Sequence, residues 1–193
     1  MKKIALVAFP IMCLAQWFVP GKMIYDQEAV LHTGTVYKFK TQPIDPTDPF
    51  RGSYITLYFE ARSVEVNDPK EWAMGEKVFV ILKNDSAGYA QIDHLSKTKP
   101  EGRDYIETTV EYVTEYQAPY TVNLALPFER FYLEESKAPE AERVYWEAAR
   151  NDSAQVAYAL VSIQNGNAAL KDVMINDRSI VDIVREMNSK QEK

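Results

Sequence analysis

Residues 53–61, Ser53-Tyr54-Ile55-Thr56-Leu57-Tyr58-Phe59-Glu60-Ala61, alternate between apolar and polar side chains. Ile55, Leu57 and Phe59 fall on one side of an extended chain, and Tyr54, Thr56, Tyr58 and Glu60 on the other. A period of two residues is the mark of a half-buried strand, with one face on a core and one on solvent. This segment therefore predicts a β-rich domain, and the chain on both sides of it extends the same reading.

Upstream, Thr33 to Thr41 alternates as a strand, with Tyr37 and Phe39 on one face and Lys38 and Lys40 on the other. Between the two strands, Pro43 to Gly52 carries three prolines and ends on a glycine, which forbids helix and predicts a rigid extended loop. Downstream, Lys77 to Lys83 is nearly continuous apolar sequence of strand length. It turns through Asn84-Asp85-Ser86 into Gly88 to Ile92 as a hairpin. Tyr105 to Val113, Tyr120 to Leu126 and Phe128 to Leu133 supply further strands.

A helix is predicted over Lys137 to Arg150, where Pro139, Glu140 and Glu142 suit a first turn and Ala141, Tyr145 and Ala148 share a face. The dipeptide Asn165-Gly166 predicts a tight hairpin between Val156–Ile163 and Ala168–Ile175. Ser179 is placed to cap a last helix running through Met187. The expected class is α+β: an antiparallel β-rich domain, as a sheet or a partly closed barrel, with one or two helices, after an N-terminal transmembrane helix.

That N-terminal expectation rests on IALVAFPIMCLAQWFVP, Ile4 to Pro20, a run without charge in which Gln16 is the only strongly polar side chain. A bilayer span needs about 20 mostly apolar residues, a length reached if Gly21 and Lys22 lie at the far interface. Lys2 and Lys3 put the N-terminus in the cytoplasm by the positive-inside rule. A cleaved signal peptide with its core at Ile4 to Leu14 is the rival reading. Both readings export the rest of the chain, so residues 1–24 are expected as an anchor or signal peptide. Tyr25 to Leu31 would be a short polar stem, and residues 25–193 one β-rich domain outside the cytoplasmic (inner) membrane.

Composition excludes several functions. The chain carries 22 Lys+Arg against 28 Asp+Glu, and without the three lysines of the anchor the exported part has a net charge of −9. Such a surface repels phosphate backbones, so no nucleic-acid partner is expected. Cys13, the one cysteine, lies in the apolar run. The exported part therefore has no thiol for a disulfide, a cysteine-ligated metal or a thiol enzyme. No cofactor is expected. His32 and His94 are the only histidines and do not form a metal-ligand pair, so no metal site is expected either.

FRGSYITLYF, Phe50 to Phe59, resembles the signature of the GDYXXLXY family of bacterial proteins. Pro43 to Gly52 is similar to that family's lead-in. Gly52, Tyr54 and Leu57 match the pattern, whereas Ser53 replaces its aspartate and Phe59 its last tyrosine. A looser likeness covers Pro127 to Glu135. The resemblance implies a single-pass membrane protein, often accompanied by multi-spanning membrane proteins, without an assigned reaction.

The residues singled out as an interaction motif are Asp45, Asp48, Arg51, Gly52, Tyr54, Leu57, Arg130 and Glu135. Strand parity places Arg130 beside Phe128 and Tyr132, partly buried and paired with nearby glutamates. A Ser53–His94–Asp93 triad is disfavoured, because adjacent residues of a strand point to opposite faces. A Ser–Lys peptidase is disfavoured because no serine precedes Arg51. The expected function is an extracytoplasmic interaction or structural module of an envelope assembly, bound to a multi-spanning membrane protein. The alternative is an envelope hydrolase or small-ligand binder with carboxylates such as Asp48 and Glu135 near the Pro43–Gly52 loop.

Overall fold

A computed structural model describes residues 2–42, 54–134, 140–141, 143–145 and 156–191, without the side chains of 2–8, 42 and 190–191. Asp45, Asp48, Arg51, Gly52 and Glu135, with most of the predicted 137–150 helix, lie outside the described residues.

The long alternating segment forms two short strands, β2 (Tyr54–Thr56) and β3 (Tyr58–Phe59), and then a 3-10 turn at Glu60–Arg62. The predicted parity holds, since Ile55, Leu57 and Phe59 are all buried. The strand is nevertheless not continuous. β2 pairs with β9 (Arg130–Tyr132), and β3 pairs with β1 (Thr35–Gln42). Leu57 is the crossing point: its side chain is fully buried, and its N–H leaves both ladders to donate to the Glu129 carbonyl at 2.8 Å. A single alternating sequence thus serves two partners, because the inward face is common to both.

Eight further strands complete the sheets: β4 (Ser63–Val66), β5 (Lys77–Asn84), β6 (Ala90–Ser96), β7 (Tyr105–Thr114), β8 (Tyr120–Leu124), β10 (Ala157–Gln164), β11 (Asn167–Ile175) and β12 (Arg178–Ser179). Beside the two-stranded β2-β9 sheet, two five-stranded sheets have the orders β12-β11-β10-β1-β3 and β4-β8-β7-β5-β6, and all the ladders are antiparallel. Two parallel bridges join them, Lys38 with Tyr89 and Ile106 with Gly166, so the sheets wrap into a nearly closed barrel. Strand β4, which carries no strong alternation, escapes the sequence reading.

Inside the barrel, Phe39, Phe59 and Phe128 meet with ring centroids 5.1–5.8 Å apart. Burying each such side chain stabilises the fold by about 1.5–3 kcal/mol. Ala141 and Tyr145, both helical as predicted, join the same core.

The Asn165-Gly166 turn has both residues at positive φ, 52° and 88°, as a two-residue hairpin requires. Its glycine also locks the sheets together. Glu107 N–H donates to the Gly166 carbonyl at 2.8 Å, and a Cβ on Gly166 would meet Tyr105 Cε2 at 2.6 Å. Helix α2 (Ile180–Gln191) starts as predicted, with Ser179 Oγ accepting from Val181 N–H at 3.2 Å.

The predicted polar stem, Tyr25 to Leu31, is helical. Residues Lys2–Thr33 form one helix, α1, about 48 Å long at 1.5 Å per residue. Its end is fixed in the domain: Val30 is buried, and its carbonyl accepts from the buried Ser162 hydroxyl at 2.6 Å and from Gly34 N–H at 3.0 Å. Gly34 has no room for a Cβ, which would lie 2.6–2.9 Å from Ser162 Oγ, the Val30 carbonyl and the Ile163 carbonyl.

Along its described length α1 exposes Phe9, Ile11, Leu14, Trp17, Phe18, Val19 and Ile24 around the axis, with Trp17 at 81% and Leu14 at 71%. Among the described residues no helix is long and apolar enough to cross a membrane. The predicted transmembrane span, which begins at Ile4, is therefore not shown by the described residues.

Candidate functional site

Of the predicted motif residues, the structure brings Tyr54 and Arg130 together and sets Leu57 apart as core. Pairing of β2 with β9 puts Tyr54 opposite Tyr132 and Thr56 opposite Arg130. The Tyr54 and Tyr132 rings pack at a tilt with centroids 5.5 Å apart, and the Arg130 guanidinium lies 5.1 Å from the Tyr54 ring centre. A hydrogen bond to Tyr132, reinforced by Tyr54, holds the Arg130 pKa above its ordinary value.

The expectation of a part-buried Arg130 is overturned, while Glu135, one of its predicted partners, lies outside the described residues. Arg130 is exposed, Phe131 is the buried residue of β9, and among the described residues no carboxylate forms an ion pair with Arg130. Phe128 is buried from a position ahead of the strand, so it does not share the strand's phase. The result is an outward platform of two packed tyrosines beneath a guanidinium whose charge is held ready for an acceptor.

The half-buried arginine is Arg62, on the turn after β3. It lies 2.6 Å from Glu111 Oε2 and 3.4 Å from Glu129 Oε1, with Tyr58 against its guanidinium at 5.3 Å. Burial lowers the Arg62 pKa, yet Glu111 and Glu129 outweigh it and leave the group above its ordinary value. Burial pushes the Glu129 carboxyl up; Arg62 opposes this and Glu111 adds to it. Glu129 Oε1 is sealed from solvent and accepts no hydrogen bond from the described residues. No sequence signal marks this triad, because its members come from three separate segments and Glu111 depends on a β-bulge. Val110 pairs with Leu124 and Tyr112 with Asn123, so Glu111 is the extra residue.

A second bulge overturns the expectation for Asp93 and His94. Ile81 pairs with His94 and Leu82 with Ile92, so Asp93 is the unpaired residue, and the two side chains meet with Nδ1 and Oδ2 3.0 Å apart. Asp93 is also held by Lys83 and Arg103, each at 3.2 Å. Its carboxyl is kept below the usual range by the hydrogen bond to His94 and then by Lys83. Among the described residues no hydroxyl or thiol bonds to His94, and Ser53 lies outside them. Among the described residues the arrangement is a surface ion cluster without a nucleophile. No group of described histidine, cysteine and acidic side chains is arranged to hold a metal ion.

The family model described as GDYXXLXY protein matches residues 16–173. That span contains both the Tyr54 segment and Arg130. No curated protein and no solved structure matches the chain.

Proposed function

The chain belongs to the GDYXXLXY family, and we propose that it is a non-catalytic interaction module. In this reading α1 inserts in the cytoplasmic membrane with its N-terminus inside, and the β-rich part outside docks on a multi-spanning membrane protein through the Tyr54–Arg130–Tyr132 platform. The observation that carries this reading is the helix surface: apolar side chains exposed all around α1 need lipid or other helices to cover them. Trp17 suits the headgroup level, and the apolar run continues back to Ile4, whose side chain lies outside the described set.

The platform fits the contact because tyrosine and arginine dominate the energetics of protein interfaces, and packing here orders their side chains before any partner arrives. Its partner surface would offer a carboxylate to Arg130. Full-length protein, extracted in detergent, is expected to retain an integral membrane protein that Arg130→Glu releases while the melting temperature stays unchanged. Equal retention by Arg130→Glu and by Tyr54→Ala removes the platform from the proposal. Release of the wild-type chain from membranes by alkaline carbonate removes the anchor.

A further inference from the structure

Three polar residues are buried among the described ones. Thr108 donates to the Ala125 carbonyl and Ser162 to that of Val30, but the Asn123 carboxamide makes no hydrogen bond to any described residue. Its oxygen and nitrogen are not sealed from solvent, so they stay open to a ligand. Asn123 borders a groove of about 420 Å³, a size within the roughly 300–1,000 Å³ range of small-molecule sites.

The groove is built by strand register. Ser63 on β4 pairs with Asn123 on β8, and Asn123 with Tyr112 on β7, so the three form a row across the sheet. The bulge at Glu111 has two effects: it leaves Tyr112 opposite Asn123 with its ring half exposed on the rim, and it accompanies the Glu111 contact with Arg62. Tyr58, Glu60 and Arg62 close the other side.

We propose that this groove binds a neutral saccharide, held by the Asn123 amide and Arg62 and faced by the Tyr112 ring. Charge selects this class. An anion would meet Glu60, and a cation would meet an arginine already bound to two carboxylates. A pyranose satisfies both, because its hydroxyls donate and accept while its C–H face lies on an aromatic ring. Neither Asn123 nor Tyr112 belongs to the docking platform, so the site stands whether or not a membrane partner exists.

The test uses the full-length chain in a detergent without a sugar headgroup, titrated calorimetrically with chitotriose and with maltotriose. At least one is expected to bind at concentrations below ~10 mM, and Asn123→Ala and Tyr112→Ala are each expected to weaken it about tenfold or more, as loss of one good contact does. Asn123→Ala should melt no lower than wild type, since it removes an unpartnered group, which separates loss of binding from loss of fold. The proposal is overturned if folded wild type binds neither sugar. It is also overturned if both variants bind as wild type does, or if trilysine or tri-alanine binds more tightly than either sugar.

Discussion

Tyr37 and Tyr158 each donate a phenol hydrogen to a carboxylate, Asp104 at 3.0 Å and Asp177 at 2.6 Å. Burial, followed by the aspartate in each case, pushes both phenols up to about 12 from 10.0. The unfolded chain therefore loses these protons first. Stability from the two groups is complete below pH 10 and declines as the pH rises towards about 12. Denaturant midpoints measured across this window should fall for wild type and fall less for Tyr37→Phe combined with Tyr158→Phe. Identical slopes would show that the two phenols contribute nothing. At this scale the sequence is legible wherever side-chain direction follows strand parity, as for Ile55, Leu57 and Phe59. It is not legible where a residue leaves the phase, as Phe128 does ahead of β9, carrying the expectation for Arg130 with it.

Among the elements, α1 and β10 meet where Gly34 and Ser162 allow no extra atom. Gly34→Ala brings a methyl against two backbone carbonyls, which cannot yield as a flexible side chain would. It should cost about 1–3 kcal/mol as an overpacking change. Ser162→Ala, which removes only the hydrogen bond to Val30, should cost about 1 kcal/mol. Chemical denaturation of both variants checks the order, and a Gly34→Ala protein as stable as wild type would mean that the helix end is not seated there. The turn signals of single elements were legible: Asn165-Gly166 and Ser179 do what their chemistry predicts. The bulges at Asp93 and Glu111 were not, because an inserted residue disrupts register without altering composition. For that reason Tyr54 could be singled out from its motif, whereas Asn123 and Arg62 could not be found before their neighbours across the sheet were known.

For the whole molecule, alternating segments foretold antiparallel β-structure, but closure into a near-barrel depends on backbone contacts that no side-chain pattern announces. Gly166 is the clearest case. Its positive φ suits the hairpin, and its missing side chain also lets the turn lie on Tyr105. Gly166→Ala should therefore cost about 1–3 kcal/mol through the strained backbone alone, with the Tyr105 clash added. Hydrogen exchange should also quicken at Glu107, whose amide donates across the seam. Unchanged protection at Glu107 would show that the two sheets hold together without this clasp.

The Ser162–Val30 hydrogen bond and the close-packed Gly34 tie the end of α1 to β10 where it meets the barrel. Whatever sets the tilt or rotation of that helix sets the heading of the head group of strands as well, as a shaft turns the tool fixed to it. A partner gripping the shaft would thereby aim the Tyr54 and Arg130 surface without touching it.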